Sequence, residues 1–194
     1  MTQINPKLLI ITTALLCSGC MQSKPVAEHE RPTHWGTELN DQHNFYQVSS
    51  MLYRSEQPNE ELKAEIQKHN IQVVINLRSR NHDQKVLSDM PLKLVHIPIQ
   101  TWAINREDLL AIMQEIQRAK TNNQKVLIHC YHGSDRTGAS IAMYRILFEG
   151  WKTEDALQEM KHGGYGFHKI WVNIEKLFSP ENIKWTQEQL SNPS

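Results

Sequence analysis

The stretch KVLIHCYHGSDRTG, residues 125–138, joins an apolar run to a short polar loop and then to a helical pattern. The branched apolar residues before Cys130 predict a buried strand, and residues 136–150 predict a helix that ends at Gly150. Ligands collect at the carboxyl ends of parallel strands, beside helix N-termini. A strand–loop–helix unit of this kind therefore brings Cys130 and Arg136 together at such an edge.

The rest of the chain repeats the alternation of strands and helices. Two short strands are expected around a turn at Ser49-Ser50, and further strands and helices follow them. The predicted strands are 71–77, 92–99 and 125–130, and the predicted helices are 58–70, 105–120, 136–150, 152–164 and 168–178. This order predicts an α/β fold with a central, mostly parallel sheet flanked by helices.

Composition excludes several classes of protein. Hydrophobic residues make up 39% and charged residues 22%, which argues against disorder and against a polytopic membrane protein. Lys+Arg and Asp+Glu balance at 21 each, so no net field attracts nucleic acid. Any anion binding must therefore be local.

The N-terminus has the layout of a secretory signal. Lys7 precedes an apolar run over 8–16, which is too short to be a permanent membrane span, and Ser18-Gly19-Cys20 follows. The small pair before Cys20 resembles a bacterial lipobox, although Cys17 stands where leucine is usual. We expect residues 1–20 to be a signal peptide ending in a lipid-modified cysteine, with an ordinary cleaved signal or a signal anchor as alternatives.

These features set the expected organisation. Residues 21–43 are polar, contain two prolines and predict a tether, 44–180 form the folded domain, and 181–194 form a C-terminal tail. Export is expected either way, with a periplasmic protein anchored to the outer membrane as the preferred reading. The mature domain then holds Cys130 as its single cysteine, with no intramolecular partner for a disulfide.

The loop after the strand suits phosphate chemistry. Gly133 and Ser134 allow backbone N–H groups to turn inward as an anion-binding nest, reinforced by the N-terminus of the next helix. The Arg136 guanidinium can hold two phosphate oxygens, and the same dipoles favour a nucleophilic Cys130 thiolate. In-line attack by the sulfur predicts a thiophosphate intermediate, with Thr137 placed to donate a hydrogen bond when the sulfur leaves.

HCYHGSDRTG resembles the His-Cys-x5-Arg-Thr-Gly signature of the cysteine-dependent phosphatases, the tyrosine and dual-specificity superfamily. The resemblance covers most of residues 44–170 and is strongest to the small periplasmic dual-specificity phosphatases of Gram-negative bacteria. It implies the small dual-specificity-phosphatase fold and a phosphomonoester hydrolase that uses no metal and no cofactor. The predicted catalytic residues are Cys130, Arg136 and Asp135, and the predicted substrate-binding residues are Tyr131, His132, Gly133, Ser134 and Thr137.

His129 has two candidate roles. It could join Cys130, His132 and either His162 or His168 in a metal site, but the expected mature domain has no CxxC or HxxxH spacing that supports zinc. We expect it to brace the loop by hydrogen bonds, as the resemblance also implies.

The general acid is missing from its usual place. The resemblance implies an aspartate on the loop after the 92–99 strand, where this chain has Gln100, Thr101 and Trp102. Asp135 is the leading candidate, although its carboxylate could simply orient Arg136. Two further candidates are Asp108, which also fits a capping box with Asn105, and Glu107. A chain with no dedicated acid would be a phosphate-binding pseudophosphatase, the alternative to an enzyme.

The loop also bears on the substrate. Residues 131–135 contribute no lysine or second arginine, which favours a monophosphorylated substrate such as phosphotyrosine over a highly phosphorylated inositide. Trp102 could stack on an aromatic ring or merely cap the core. The run GGYG, 163–166, is expected to border the pocket or to form a plain turn.

Overall fold

The computed structural model describes residues 21–192, so the predicted signal segment 1–20 lies outside the described residues. A six-stranded sheet in the order β1-β2-β3-β6-β4-β5 forms the centre of the described chain. Its strands are β1 Thr37–Asn40, β2 Phe45–Gln47, β3 Leu52–Ser55, β4 Ile71–Asn76, β5 Lys93–His96 and β6 Lys125–His129. The strands β3, β6, β4 and β5 run parallel, and β1 and β2 are added antiparallel at one edge.

Strand register sets the position of the central loop. His129 at the end of β6 pairs with Ser55 at the end of β3 and with Asn76 at the end of β4. Three parallel strands therefore finish level with one another, and Cys130 is the first residue beyond this shared edge. The predicted mostly parallel sheet is confirmed.

Seven α-helices of the described residues 21–192 surround the sheet. They are α1 Glu60–Lys68, α2 Asp83–Leu87, α3 Arg106–Thr121, α4 Asp135–Glu149, α5 Thr153–His162, α6 Val172–Lys176 and α7 Pro180–Ser191. Neighbouring side chains of a strand point to opposite faces, so Val73 and Ile75 join the core under α3 and α4, whereas Val74 joins the core under α1 and α2. This two-faced burial explains why the central strands are almost uniformly apolar.

Local signals predicted several helix ends correctly. Asn105 caps α3 in a capping box with Asp108, and Gly150 ends α4 in the left-handed region at φ 70°. The helix predicted to start at Pro58 begins two residues later, at Glu60, because the Asn59 side chain caps it by accepting the Leu62 N–H. The predicted strand over 92–99 is shorter than expected, and β1 and α2 were not predicted.

The expected tether over 21–43 is not what the structure shows. Trp35 is buried, the Gly36 N–H donates to buried Glu159 at 2.7 Å, and the Ser23 N–H donates to the Phe167 carbonyl at 2.7 Å. The expected tail over 181–194 is likewise largely helix α7, with Leu190 in the core. Both segments lack a strong apolar pattern, and distant residues provide the partners that hold them.

No helix between residues 21 and 192 combines the length and the apolar character needed to cross a membrane.

Candidate active site

Cys130 lies directly after β6, where the ends of β3 and β4 flank it. Its side chain is 2% exposed and carries a free thiol, and it is the one free cysteine among the residues that the structure describes. The register of the sheet, rather than the loop alone, thus positions the sulfur.

The loop holds its carbonyl groups outward. Each carbonyl oxygen from Cys130 to Ser134 accepts a hydrogen bond from a group outside the curve of the loop. The pairs are Cys130 O with His129 Nδ1 (3.1 Å), Tyr131 O with Gln57 N (3.1 Å), His132 O with Asn44 Nδ2 (2.8 Å), Gly133 O with Arg54 Nη2 (2.5 Å) and Ser134 O with Gly138 N (2.8 Å). With the oxygens turned out, the peptide N–H groups are left to face the interior of the loop.

Those N–H groups are available for a ligand. Within residues 21–192, none of the backbone N–H groups from Tyr131 to Arg136 donates to a protein acceptor. They converge beside the N-terminus of α4, which begins at Asp135 and adds its dipole. This arrangement is an anion-binding nest of the kind that holds phosphate.

Gly133 permits the tight curve. It lies in the left-handed region at φ +72°, and an added Cβ would stand 2.4 Å from the Ser55 carbonyl oxygen and 2.8 Å from the Glu56 nitrogen. Any side chain here would push the loop away from the end of β3.

Arg136 is anchored on one side of its guanidinium. Its Nη1 donates to the carbonyls of Leu77 at 3.1 Å and Ile99 at 2.9 Å, while its Nε is buried without a partner in the described chain. A fork fixed in this way keeps donors free for phosphate oxygens. The Thr137 hydroxyl is also buried and makes no hydrogen bond to any described residue. It is therefore available to donate a hydrogen bond to the sulfur or to a ligand.

The other predicted binding residues divide into two groups. Tyr131 is 54% exposed and His132 is also exposed, with their rings packed edge to face at the rim of the loop. Ser134 is buried, and its hydroxyl donates to the Tyr165 carbonyl at 2.7 Å. Its side chain therefore faces away from the nest, and only its backbone can contact a phosphate.

His129 braces the loop from below, as expected. Its Nδ1 contacts the Cys130 carbonyl, and its Nε2 contacts the Asp83 carboxylate at 2.9 Å, with both side chains buried. Asp83 was not anticipated, because it lies at the start of α2 and its sequence neighbours are polar. Within the described residues no cluster of three His, Cys, Asp or Glu side chains has the geometry of a metal site.

The Asp135 carboxylate is held by His168. Its Oδ1 accepts the backbone N–H of His168 at 2.9 Å, and both carboxylate oxygens contact His168 Nδ1, at 3.2 and 3.0 Å. Proton donation by Asp135 stays a prediction. If the carboxyl gained and then gave up a proton during the reaction, its contacts with His168 would change.

The two other candidate acids are also engaged. Asp108 Oδ2 accepts the Asn105 N–H at 3.0 Å in the capping box, and partial burial raises the pKa of its carboxyl. The Glu107 carboxylate contacts Arg106, which lowers its pKa and makes it a poor proton donor. Trp102, in the loop where the aspartate was expected, is 68% exposed.

Several residues at the site were missed from the sequence. Asn44, Gln57 and Arg54 hold loop carbonyls, and Arg78 stands 5.0 Å above the Tyr131 ring. Burial, followed by the nearby Arg136, lowers the pKa of Arg78. Arg78, just beyond the end of β4, therefore adds a second arginine at the mouth of the site. The loop itself contributes one arginine, Arg136. An arginine inside a buried strand was the signal that could have revealed Arg54.

The GGYG run packs against the outer side of the phosphate loop. Gly164, Tyr165 and Gly166 line a cavity of about 600 Å³ with His132 and Ser134 of the loop, and Cys130 and Arg136 are not among its lining residues. Its expected place at the border of the substrate pocket stays a prediction. The Tyr165 carbonyl also accepts Asn44 Nδ2 at 3.0 Å, so this run supports the loop as well as bordering it.

Comparison with known proteins agrees with this geometry. The family model described as dual specificity phosphatase, catalytic domain, matches residues 52–173. The dual specificity protein phosphatase TpbA of Pseudomonas aeruginosa is 31% identical over 159 residues, which cover 82% of this chain and 72% of that protein.

Solved structures give the same result. The crystal structure of P. aeruginosa TpbA has a TM-score of 0.75 at 28% identity and covers 82% of this chain and 98% of its own. A cysteine-to-serine variant of TpbA in complex with pTyr has the same TM-score and identity and covers 84% of this chain and 99% of its own. This chain belongs to the dual specificity phosphatase family and is a cysteine-dependent phosphomonoester hydrolase.

Proposed function

We propose that the protein dephosphorylates phosphotyrosine, with Cys130 as nucleophile and Arg136 as phosphate clamp. The observation that carries the proposal is the set of loop carbonyls held outward, which leaves the N–H groups from Tyr131 to Arg136 free around a buried thiol. Such preformed donors stabilise charge that develops on equatorial phosphate oxygens without reorganising during the reaction.

The reaction proceeds in two displacements. The Cys130 sulfur attacks phosphorus, the bond from phosphorus to the phenolic oxygen breaks, and that oxygen takes a proton. Water then attacks the phosphorus of the cysteinyl phosphate, the S–P bond breaks, and inorganic phosphate leaves. The Thr137 hydroxyl supports the second displacement by donating a hydrogen bond to the departing sulfur.

The depth of the site favours a substrate with a long, rigid side chain. Cys130 is 2% exposed, so the phosphate must descend past the rim where Tyr131 exposes its ring. An aryl phosphate can span this depth while its ring contacts the aromatic rim. Similarity to the TpbA variant solved with pTyr supports the same substrate class.

Turnover of two substrates tests this proposal. The wild type should hydrolyse both p-nitrophenyl phosphate and a phosphotyrosine peptide, and Cys130→Ser should abolish both activities. Arg136→Lys should lower kcat/KM by at least about a hundredfold, because lysine cannot form the bidentate grip. Binding of inorganic phosphate with no turnover of either substrate would instead fit the phosphate-binding alternative.

We further propose that the protein is exported and held at the periplasmic face of the outer membrane by a lipid on Cys20. The support is the sequence of residues 7–20 and a folded domain whose one described cysteine has no disulfide partner. Labelled palmitate should be incorporated by the wild type and lost in Cys20→Ala, with the protein moving from the membrane fraction. A chain that stays unlabelled and unprocessed in a bacterial host would contradict the proposal.

A further inference from the structure

Arg54 is a charged residue in the middle of the sheet. It lies in β3, is 0% exposed, and has Tyr53 and Ser55, both buried, on either side. A long cation in a central strand is unusual because burial removes its hydration, and this cost must be offset by specific partners. Its partners therefore indicate its purpose.

The partners of Arg54 are few. Its Nη2 donates to the Gly133 carbonyl at 2.5 Å, and its guanidinium carbon lies 3.6 Å from the centroid of the Tyr165 ring. Its Nε and Nη1 are buried and make no hydrogen bond to any described residue. Orphaned buried donors are rare in folded proteins and require a reason.

No carboxylate neutralises the Arg54 charge. No carboxylate oxygen among residues 21–192 lies within ion-pair distance of this guanidinium. The buried Glu159 carboxylate is committed to Arg145, Tyr165 and the Gly36 N–H. Burial raises the pKa of Tyr165 to about 12, so the ring under Arg54 is a neutral phenol and not a counter-ion.

The guanidinium nevertheless stays charged. Burial lowers the pKa of Arg54, but arginine starts far above neutral pH and keeps its proton in folded proteins. A buried cation therefore lies against the outside of the phosphate loop. An anion inside the loop would supply the missing negative charge.

We propose that Arg54 is a positioning residue of the phosphate site, whose charge is compensated by the Cys130 thiolate and then by the bound phosphate dianion. It acts through Gly133, because its hydrogen bond holds that carbonyl outward and leaves the neighbouring N–H groups to the anion. This inference rests on the proposed phosphate chemistry of the loop, and it adds a second, deeper arginine to the clamp formed by Arg136.

Two substitutions test the charge of Arg54. Arg54→Gln removes the charge, and its amide nitrogen reaches only the position of the arginine Nε, short of the Gly133 carbonyl that Nη2 contacts. Arg54→Lys retains the charge, and its ammonium reaches the position of the guanidinium carbon. The affinity for inorganic phosphate is measured as competitive inhibition of p-nitrophenyl phosphate hydrolysis and as the phosphate-induced rise in Tm. Circular dichroism confirms the fold of each variant.

We expect Arg54→Gln to weaken phosphate binding by about tenfold and Arg54→Lys by much less, as loss of one charge-assisted interaction predicts. The glutamine variant should also move the acid limb of the kcat/KM profile to higher pH, because the thiolate loses a compensating cation. In Arg54→Lys, phosphate affinity should fall more steeply above neutral pH than in the wild type, since a buried lysine loses its proton far more easily than arginine.

Arg145→Gln is the matched control. Arg145 is also buried, but Glu159 and Glu149 neutralise it, so this variant should lose stability and keep its phosphate affinity within about twofold. Unchanged phosphate affinity and pH profile in Arg54→Gln would overturn the inference.

If Arg54→Gln does not fold, Arg54→Lys provides the test of the proposal. A pH dependence of phosphate binding equal to that of the wild type would then refute the proposal. Failure of the proposed function looks different, because wild-type protein would bind phosphate without turnover.

Discussion

Gly133 is the residue whose lack of a side chain the active site most requires. Its φ is +72°, and an added Cβ would lie 2.4 Å from the Ser55 carbonyl oxygen. Gly150 has a nearly identical φ of +70° with nothing within 4 Å of the same position. Alanine substitutions at the two glycines therefore separate the cost of backbone strain from the cost of steric conflict.

We expect Gly133→Ala to reduce turnover of p-nitrophenyl phosphate by at least about a hundredfold and to lower the free energy of unfolding by about 2 kcal/mol or more. Gly150→Ala should cost only about 1 kcal/mol and leave turnover unchanged. Chemical denaturation and initial rates measure both effects. Equal behaviour of the two variants would show that contact with β3 does not shape the loop.

Asp135 carries the open question of the proton donor. A donor role predicts that Asp135→Asn slows phosphotyrosine more than p-nitrophenyl phosphate and removes the basic limb of the pH–rate profile. We expect this result. A carboxylate that only holds His168 through its two oxygens would instead slow both substrates similarly and retain the limb. Rates on both substrates across pH decide, with Asp108→Asn as the parallel variant. A retained basic limb with equal slowing of both substrates would contradict the role of Asp135 as the acid.

At the scale of elements, α3 shows how a carboxylate near the site can be purely structural. The Asn105 side chain accepts the Asp108 N–H at 2.9 Å, and Asp108 returns the contact to the Asn105 N–H. These bonds satisfy N–H groups that the first turn of a helix leaves unpaired.

Asn105→Ala should therefore lower the free energy of unfolding by about 1 kcal/mol, because the cap is lost, while kcat stays within about twofold of the wild type. Gln117→Ala, at an exposed position of the same helix, should change stability by less than about 0.5 kcal/mol. Urea denaturation and steady-state kinetics provide the two measurements. A large fall in kcat would indicate that the start of α3 takes part in catalysis.

At the scale of the whole molecule, Glu159 joins segments that are distant in sequence. Its buried carboxylate contacts Arg145 of α4 at 2.8 Å, the Tyr165 hydroxyl at 3.1 Å and the Gly36 N–H at 2.7 Å. Through these contacts the N-terminal segment, α4, α5 and the GGYG run are held together beside the phosphate loop.

Glu159→Gln should lower the free energy of unfolding by about 2 to 3 kcal/mol, since it leaves the buried Arg145 partly uncompensated. Glu175→Gln breaks the more exposed pair with Lys161 and should cost less than about 1 kcal/mol. Thermal and chemical denaturation compare the two. Equal losses would mean that the buried junction contributes no more than a surface ion pair.

The sequence by itself determined the alternation of the central strands and helices, but not β1, α2 or α7, and it predicted Cys130 as the nucleophile and Arg136 as the clamp. Periodicity, caps and the HCYHGSDRTG motif are local features, and each is readable within a dozen or so residues. Local features were enough to indicate the parallel core and the phosphate loop. They were not enough for residues 21–43, because the polar pattern of this segment does not reveal the distant partners that bury it.

Only the tertiary structure decided what surrounds the loop. Arg54 meets Gly133, Asp83 meets His129, and Asp135 meets His168 across long stretches of chain. Hydrogen bonds and buried charges of this kind depend on strand register and loop placement, which no single segment encodes. The motif was therefore enough to predict the nucleophile, whereas the residues that hold its loop in shape could be found only in the folded molecule.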